Sequence, residues 1–168
     1  SGGVSEPRLW ISQRHFEPGR TMNPDVIAWL GGGVSATFVA LALWHFYMAM
    51  GGLASGAGGA VPRVAGKPVF VPSTGSTVAV GVVLLMFAAL VAATAGLVPP
   101  PLPMRWLAGL SYALAAGLLA RTIGDFKYVG FFKRVRGTPF ARLDTLLYSP
   151  LCLVLSLGVA GVALSSDE

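Results

Sequence analysis

Charged residues are scarce in this sequence. Only 11% of its 168 residues are Asp, Glu, Lys or Arg, whereas 54% are hydrophobic. A soluble domain has about 25% charged residues, which it needs to cover its surface. The scarcity therefore excludes an ordinary soluble domain and indicates a membrane protein.

Cysteine and histidine are also scarce. Cys152 is the single cysteine and lies in an apolar run, so the sequence predicts a small buried hydrophobe there and no disulfide. His45 is the one histidine outside the polar N-terminal stretch, and no His, Glu and Cys residues have metal-ligand spacing. The Gly-rich stretch 51–59 lacks the Lys of a phosphate-binding loop. We therefore predict no metal and no cofactor, and the sequence leaves open whether the protein is an enzyme.

The charges that are present cluster between apolar runs. Residues 121–144, RTIGDFKYVGFFKRVRGTPFARLD, contain six of the twelve basic residues, while residues 106–120 and 145–166 contain no charge. A basic connector between two uncharged runs is typical of a loop between transmembrane helices. The net charge of +5 thus indicates orientation in a membrane, and no nucleic-acid partner is predicted.

Four uncharged or nearly uncharged runs are long enough to cross a bilayer, which takes about 20 helical residues. They lie at about 24–50, 75–98, 104–123 and 144–164. Because the connectors are short or moderate, the predicted fold is all-α: an integral membrane protein with a four-transmembrane-helix, up-down-up-down bundle at residues 23–166.

Residues 1–22 are polar and have no helical period, so we expect this leader to be disordered or extraneous. A cleaved secretory signal is the competing interpretation of the first apolar run, because residues 52–54, GLA, resemble a cleavage site. The run is longer than the roughly 7–15 residues of a signal peptide, which favours a retained helix.

The distribution of basic residues predicts the orientation. The first and third connectors share one side of the membrane and contain eight basic residues when Arg121, at the adjoining helix end, is included. The opposite side has Arg105 and three arginines of the leader. Basic loops are retained in the cytoplasm. Loops 51–74 and 124–143 are therefore predicted to be cytoplasmic, with both termini outside.

Five polar residues are predicted at similar depth on that cytoplasmic side: His45, Arg121, Asp125, Asp144 and Tyr148. In the structural interpretation, Asp144 caps a helix, Arg121 pairs with Asp125 four residues later, and His45 fills the interface. In the functional interpretation, the five line one binding pocket for a headgroup or a proton. The sequence favours the structural interpretation without excluding the other.

The third connector mixes phenylalanines at 126, 131 and 132 with basic residues. The basic residues are Lys127, Lys133, Arg134 and Arg136. This mixture suits a lipid-facing loop that lies on the headgroup layer, with its apolar side down and its bases toward anionic lipid. An ordinary orientation-setting loop explains the pattern equally well.

The run RTIGDFKYVGFFKRVRGTPFARLDTLLYSPL and the earlier run WHFYMAMGG resemble two segments of the family known as domain of unknown function 3995 (DUF3995). The resemblance covers about residues 23–164. It implies a small multi-pass protein of the bacterial cytoplasmic (inner) membrane, with no assigned activity. The positions matching the motif are Trp44, His45, Tyr47, Gly51, Gly52, Arg121, Gly124, Asp125, Gly130, Phe131, Lys133, Phe140, Asp144, Tyr148 and Pro150.

Two classes of function follow. The first is a non-enzymatic helical bundle that associates with itself, with a partner protein or with the lipid bilayer. The alternative is a small transporter or membrane enzyme that uses the polar cluster at the cytoplasmic helix ends. The absence of a recognisable catalytic motif favours the first.

Overall fold

The structure is a computed structural model, and it describes residues 23–52, 63–64, 67–68, 73–124, 129–134 and 137–166. The leader at residues 1–22 lies outside the described residues. The helices and strands are α1 (Pro24–Tyr47), a π turn (Met48–Gly52), β1 (Arg63–Val64), β2 (Lys67–Pro68), α2 (Thr74–Thr94), α3 (Met104–Ile123), α4 (Pro139–Leu143), a second π turn (Asp144–Tyr148) and α5 (Ser149–Ser166).

Within the described residues, four helices are long and apolar enough to cross a membrane: Pro24–Gly51, Thr74–Thr94, Met104–Ile123 and Pro139–Ser166. The last of these is one continuous rod formed by α4, the second π turn and α5. Large apolar side chains point outward, among them Trp29 at 83% exposure. Such exposure costs little when the surroundings are lipid. The predicted fold class, a four-helix membrane bundle, is confirmed.

The helices form a ring in which each packs against its neighbours in the chain. α1 packs mainly on α2 and α3 mainly on α5, while contacts of α2 with α3 and of α1 with α5 close the ring. Phe38, Val91, Leu114 and Val159 meet in the buried core. The bundle therefore has two ends. The loop end contains Tyr47, Thr74, Ile123 and Pro139, and the terminal end contains Pro24, Thr94, Met104 and Ser166.

Hydroxyl groups and glycines join the helices along the bundle. Ser35 donates a hydrogen bond to the carbonyl of Ala88 at 3.1 Å, and Ser156 donates to the carbonyl of Ala115 at 2.8 Å. At the terminal end, Gly31 packs directly against Ala95. Small residues and hydroxyls commonly permit and reinforce close helix approach in membranes.

α2 ends at Thr94, about a turn before the predicted limit near residue 98. Gly96 has a φ of +73°, and its N–H bonds the carbonyl of Ala93 at 3.1 Å. The N–H of Leu97 bonds the carbonyl of Ala92 at 2.9 Å. These two bonds and the left-handed glycine form a Schellman motif, which stops the helix before the prolines that follow.

The fourth spanning helix begins at Pro139 and not near Asp144 as predicted. Thr138 caps it, because its hydroxyl accepts the N–H of Ala141 at 3.1 Å, and Pro139 suits the first helical position. Asp144 consequently lies inside the helix. The prediction that Asp144 caps this helix was wrong, because the threonine cap six residues earlier starts it.

The first connector contains a short ladder that the Gly- and Pro-rich sequence did not predict. β1 and β2 pair antiparallel, with Arg63 opposite Pro68 and Val64 opposite Lys67. Both strands of a two-stranded ladder are edges, where proline is tolerated.

Candidate functional site

A buried carboxylate organises the loop end. The side chain of Asp144 is 0% exposed. Its Oδ1 accepts a hydrogen bond from Arg121 Nη2 at 2.6 Å, and its Oδ2 pairs with Lys133 Nζ at 3.0 Å. Oδ2 also accepts the N–H of Gly130 at 3.0 Å and the hydroxyl of Ser149 at 3.4 Å. We call Arg121, Gly130, Lys133, Asp144 and Ser149 the Asp144 network.

Lys133 is the second buried charge of the network, with 3% of its side chain exposed. Besides the carboxylate, its ammonium group donates to the carbonyl of Gly130 at 3.2 Å and to the hydroxyl of Thr145. The hydroxyl of Thr145 in turn donates to the carbonyl of Ala141 at 3.0 Å. Lys133 thus ties the connector to the beginning of the fourth helix.

The connector reaches Asp144 because of a glycine in a left-handed conformation. Gly130 has a φ of +92°, and a Cβ there would lie 2.6 Å from the carbonyl oxygen of Gly124. Next to it, Phe131 donates its N–H to the carbonyl of Thr122 at 2.9 Å. Only glycine meets both demands, the positive φ and the close approach. The N–H of Gly130 is thereby directed at the carboxylate.

The second π turn places Ser149 against Asp144. The N–H of Ser149 bonds the carbonyl of Asp144, which is the i to i+5 spacing of a π turn. The Ser149 hydroxyl then reaches Oδ2 of the same residue. On the other side, the hydroxyl of Thr122 lies 2.9 Å from the carbonyl of Leu118 and 3.4 Å from that of Ser149. The π turn therefore connects the carboxylate to α3 as well as to the connector.

The depth of Asp144 explains why it needs so many partners. The helix Pro139–Ser166 has 28 residues, which span about 42 Å, against a hydrocarbon core of about 30 Å. If the helix is centred, about four residues project at each end. Asp144 is the sixth residue of the helix, which in this placement is just inside the core. An ion there is tolerated only when counter-charges and hydrogen bonds replace its water.

The network contains more positive than negative charge. Two cations, Arg121 and Lys133, meet the single carboxylate of Asp144. Nη1 of Arg121 is buried and has no hydrogen-bond acceptor among the described residues. The Arg121 side chain as a whole keeps 30% exposure, whereas that of Asp144 has none.

A cavity of 360 Å³ lies beside the network, between the connector and the first turns of the fourth helix. Its lining residues are Phe131, Lys133, Gly137, Ala141, Arg142, Thr145 and Leu146. Arg142 is exposed and forms no salt bridge within the described part of the chain. The cavity thus combines a buried lysine, a solvent-accessible arginine and an apolar rim.

Comparison with protein-family models identifies the family of the chain. A family model described as "Protein of unknown function (DUF3995)" matches residues 38–159. The chain belongs to the DUF3995 family. The match includes the whole Asp144 network and the lining of the cavity. No curated protein and no solved structure matches the chain.

Two of the five predicted cluster residues meet in this DUF3995 chain, namely Arg121 and Asp144. Nδ1 of His45 bonds the carbonyl of Leu41 in its own helix at 2.7 Å, and Tyr148 packs its ring against Phe140. Neither ring has a hydrogen bond to the network in the described part of the structure. Asp125 lies outside the described residues, so its pairing with Arg121 stays a prediction.

The described basic residues of the predicted lipid-facing loop differ in exposure. Lys133 is buried in the Asp144 network, so its assignment to a headgroup-facing surface was wrong, because it supplies a counter-charge to a buried carboxylate. Arg134 is exposed. Lys127 and Arg136 lie outside the described residues. Arg142, which was not assigned to that surface, is exposed at the same end.

The described part of the site offers ion pairs and hydrogen bonds. Within the described ranges, no group of three or more His, Cys, Asp or Glu side chains could hold a metal ion. From the sequence, Gly130 was identified only as a position of the family motif, and Thr145 and Ser149 were missed. The signals available were a glycine next to Phe131 and hydroxyls one and five positions after Asp144.

Proposed function

We propose that this DUF3995 protein is a non-enzymatic helical bundle of the cytoplasmic membrane that associates with anionic lipid at its loop end. The observation behind this proposal is the unequal charge of the two ends. Among the described helices and the residues next to them, the loop end has Arg121, Lys133, Arg134 and Arg142, against the single acid Asp144. The terminal end has Arg105 and Asp25.

The charge difference supports a cytoplasmic loop end. Basic residues close to helix ends are retained on the cytoplasmic side, and each base near an anionic leaflet adds about 1 kcal/mol of attraction. The connectors 51–74 and 124–143 then face the cytoplasm, and both helix termini, at Pro24 and Ser166, face the outside.

The way in which Asp144 is held supports a non-enzymatic role. Its carboxylate accepts from two cations, one backbone N–H and one hydroxyl. A proton-carrying or nucleophilic carboxylate needs a free lone pair and access to its substrate. The network therefore favours a structural carboxylate over the transporter or membrane-enzyme alternative.

Cysteine labelling tests the orientation. In a Cys152→Ala background, Val135→Cys should be labelled by a membrane-impermeant maleimide only after the membrane is opened. Leu102→Cys, in the connector at the opposite end, should be labelled in intact cells. Labelling of Val135→Cys from outside intact cells, together with protection of Leu102→Cys, would reverse the orientation.

A lipid-retention measurement tests the association. The protein, purified from membranes in mild detergent, should retain phosphatidylglycerol in preference to phosphatidylcholine when both are supplied in equal amounts. The preference should fall as salt is added, because the attraction is between charges. Equal retention of the two lipids would refute the association with anionic lipid.

A further inference from the structure

The cavity at the loop end has the features of an anion site. Lys133 and Arg142 line it, and none of its described lining residues is acidic. Behind Lys133, Arg121 shares the carboxylate of Asp144, so that carboxylate already meets two cations. Three cations thus face one acid among the described residues around the cavity. The other described acid, Asp25, is at the terminal end. An oxygen-rich anion would balance this excess.

We propose that the cavity between the connector and the fourth helix binds a phosphate group. The inference deepens the proposed function, on which it rests for the presence of anionic headgroups at this end. It assigns the contact to one place, whereas general attraction would involve every exposed base.

Arg142 is the residue that binds the phosphate oxygens. Its guanidinium group is exposed and is free of salt bridges in the described part of the chain. A guanidinium fork can donate two parallel hydrogen bonds to a phosphate. Lys133 contributes its positive charge to the cavity wall, while its ammonium group donates to Asp144, Gly130 and Thr145.

The rim of the cavity suits an amphipathic ligand. Phe131 is 38% exposed and Leu146 is 78% exposed, and both line the cavity. Leu146 lies in the membrane-spanning helix, so an acyl chain can follow that helix from a phosphate held at Arg142. The volume of 360 Å³ accommodates a phosphate with a small headgroup substituent. A lipid phosphate and a free phosphate ester present the same chemistry to Arg142.

Two ligands distinguish these sources. Delipidated protein in a phosphate-free, non-ionic detergent is titrated with inorganic phosphate by calorimetry, and separately with short-chain phosphatidylglycerol. Diacylglycerol of the same chain length, which has no phosphate, is the control for the acyl chain. Binding of inorganic phosphate indicates a site for free phosphate; binding of phosphatidylglycerol alone indicates a site for a lipid headgroup.

The decisive variant is Arg142→Gln, which removes the guanidinium and keeps the network. We expect it to weaken binding of the phosphate ligand about tenfold, because a charge-assisted hydrogen bond is lost. Arg142→Lys should recover part of the affinity, since it restores charge without the fork. Arg105→Gln is the matched control at the terminal end, and Arg134→Gln removes the same charge from the loop end without touching the cavity lining.

The outcomes separate this inference from the proposed function. A loss specific to Arg142→Gln supports the cavity. Equal losses in Arg134→Gln and Arg142→Gln refute the cavity but agree with general attraction of anionic lipid. Absence of binding to either phosphate ligand by the wild-type protein, while phosphatidylglycerol is still preferred in membranes, also refutes the cavity. Binding of inorganic phosphate without any lipid preference would retain the cavity and refute the proposed lipid association.

Discussion

Different interactions hold the helices together at the two ends of the bundle. At the loop end, one buried carboxylate holds two cations, a backbone N–H and a hydroxyl, and thereby joins a connector to two helices. At the terminal end, a Schellman motif ends α2, Gly31 packs against Ala95, and a hydrogen bond of 3.0 Å joins the hydroxyls of Thr94 and Ser111.

The two ends should respond differently when a single polar group is removed. Loss of a hydroxyl at the terminal end removes one neutral hydrogen bond, which in a membrane protein is worth on average about 0.6 kcal/mol. Loss of the carboxylate at the loop end leaves cations without their counter-charge where water is scarce. A single substitution should therefore lower the free energy of unfolding strongly at the loop end and only slightly at the terminal end.

The largest effect is expected for Asp144→Asn. The amide has nearly the same shape but removes the negative charge of Asp144 from beside Lys133, whose side chain is 3% exposed. Breaking a buried pair by removing one partner costs about 3–5 kcal/mol. The free energy of unfolding in mixed detergent should fall by about that amount. Asp25→Asn, the same change at an exposed site of the terminal end, is the control and should cost less than about 1 kcal/mol, the contribution of a carboxylate in the first turn of a helix.

A smaller but distinct loss is expected for Gly130→Ala. The change imposes a side chain at a φ of +92° and places Cβ 2.6 Å from the carbonyl oxygen of Gly124. Backbone strain costs about 1–3 kcal/mol, and the collision adds to it. Gly137→Ala is the matched control, because Gly137 has a φ of +83° with nothing within 4 Å of its Cβ position. Equal melting temperatures of the two variants would show that the connector does not approach Gly124 closely.

The smallest effect is expected for Thr94→Val, which keeps the side-chain shape. It removes the hydrogen bond to Ser111 across helices and the bond to the Leu90 carbonyl within α2. We expect a loss of about 0.6 kcal/mol in the free energy of unfolding. Thr37→Val is the control, because the Thr37 hydroxyl bonds only the carbonyl of Gly33 in its own helix. A loss as large as that of Asp144→Asn would contradict the contrast between the two ends.

The sequence predicted the four helices because each is a run with almost no charge, and a lipid environment leaves little choice but a helix for such a run. It also placed Arg121 and Asp144 at the same end. It could not predict the partners of Asp144. It predicted the pairing of Arg121 with Asp125, which stays a prediction, because spacing within one helix is visible in the sequence. The contact of Arg121 with Asp144, 23 residues away, is not visible there.

The burial of Lys133 was hidden for a similar reason. Next to Phe132 and Arg134, it fits an alternating apolar and basic surface, and nothing local distinguishes it from Arg134. Only the left-handed Gly130 brings the connector back to the helix and encloses the ammonium group. The burial of Lys133 therefore depends on tertiary contacts of the connector, which the local composition does not reveal.

The central claim is that Asp144 balances the buried charge of the loop end, and a double variant tests it most directly. Asp144→Asn strands two cations, of which Lys133 is the deeply buried one. Adding Lys133→Met removes that ion and leaves Arg121, which is 30% exposed and can extend toward water. The account predicts that the Asp144→Asn, Lys133→Met protein melts at a higher temperature than Asp144→Asn alone. A double variant that melts at a lower temperature than that single variant would contradict the account.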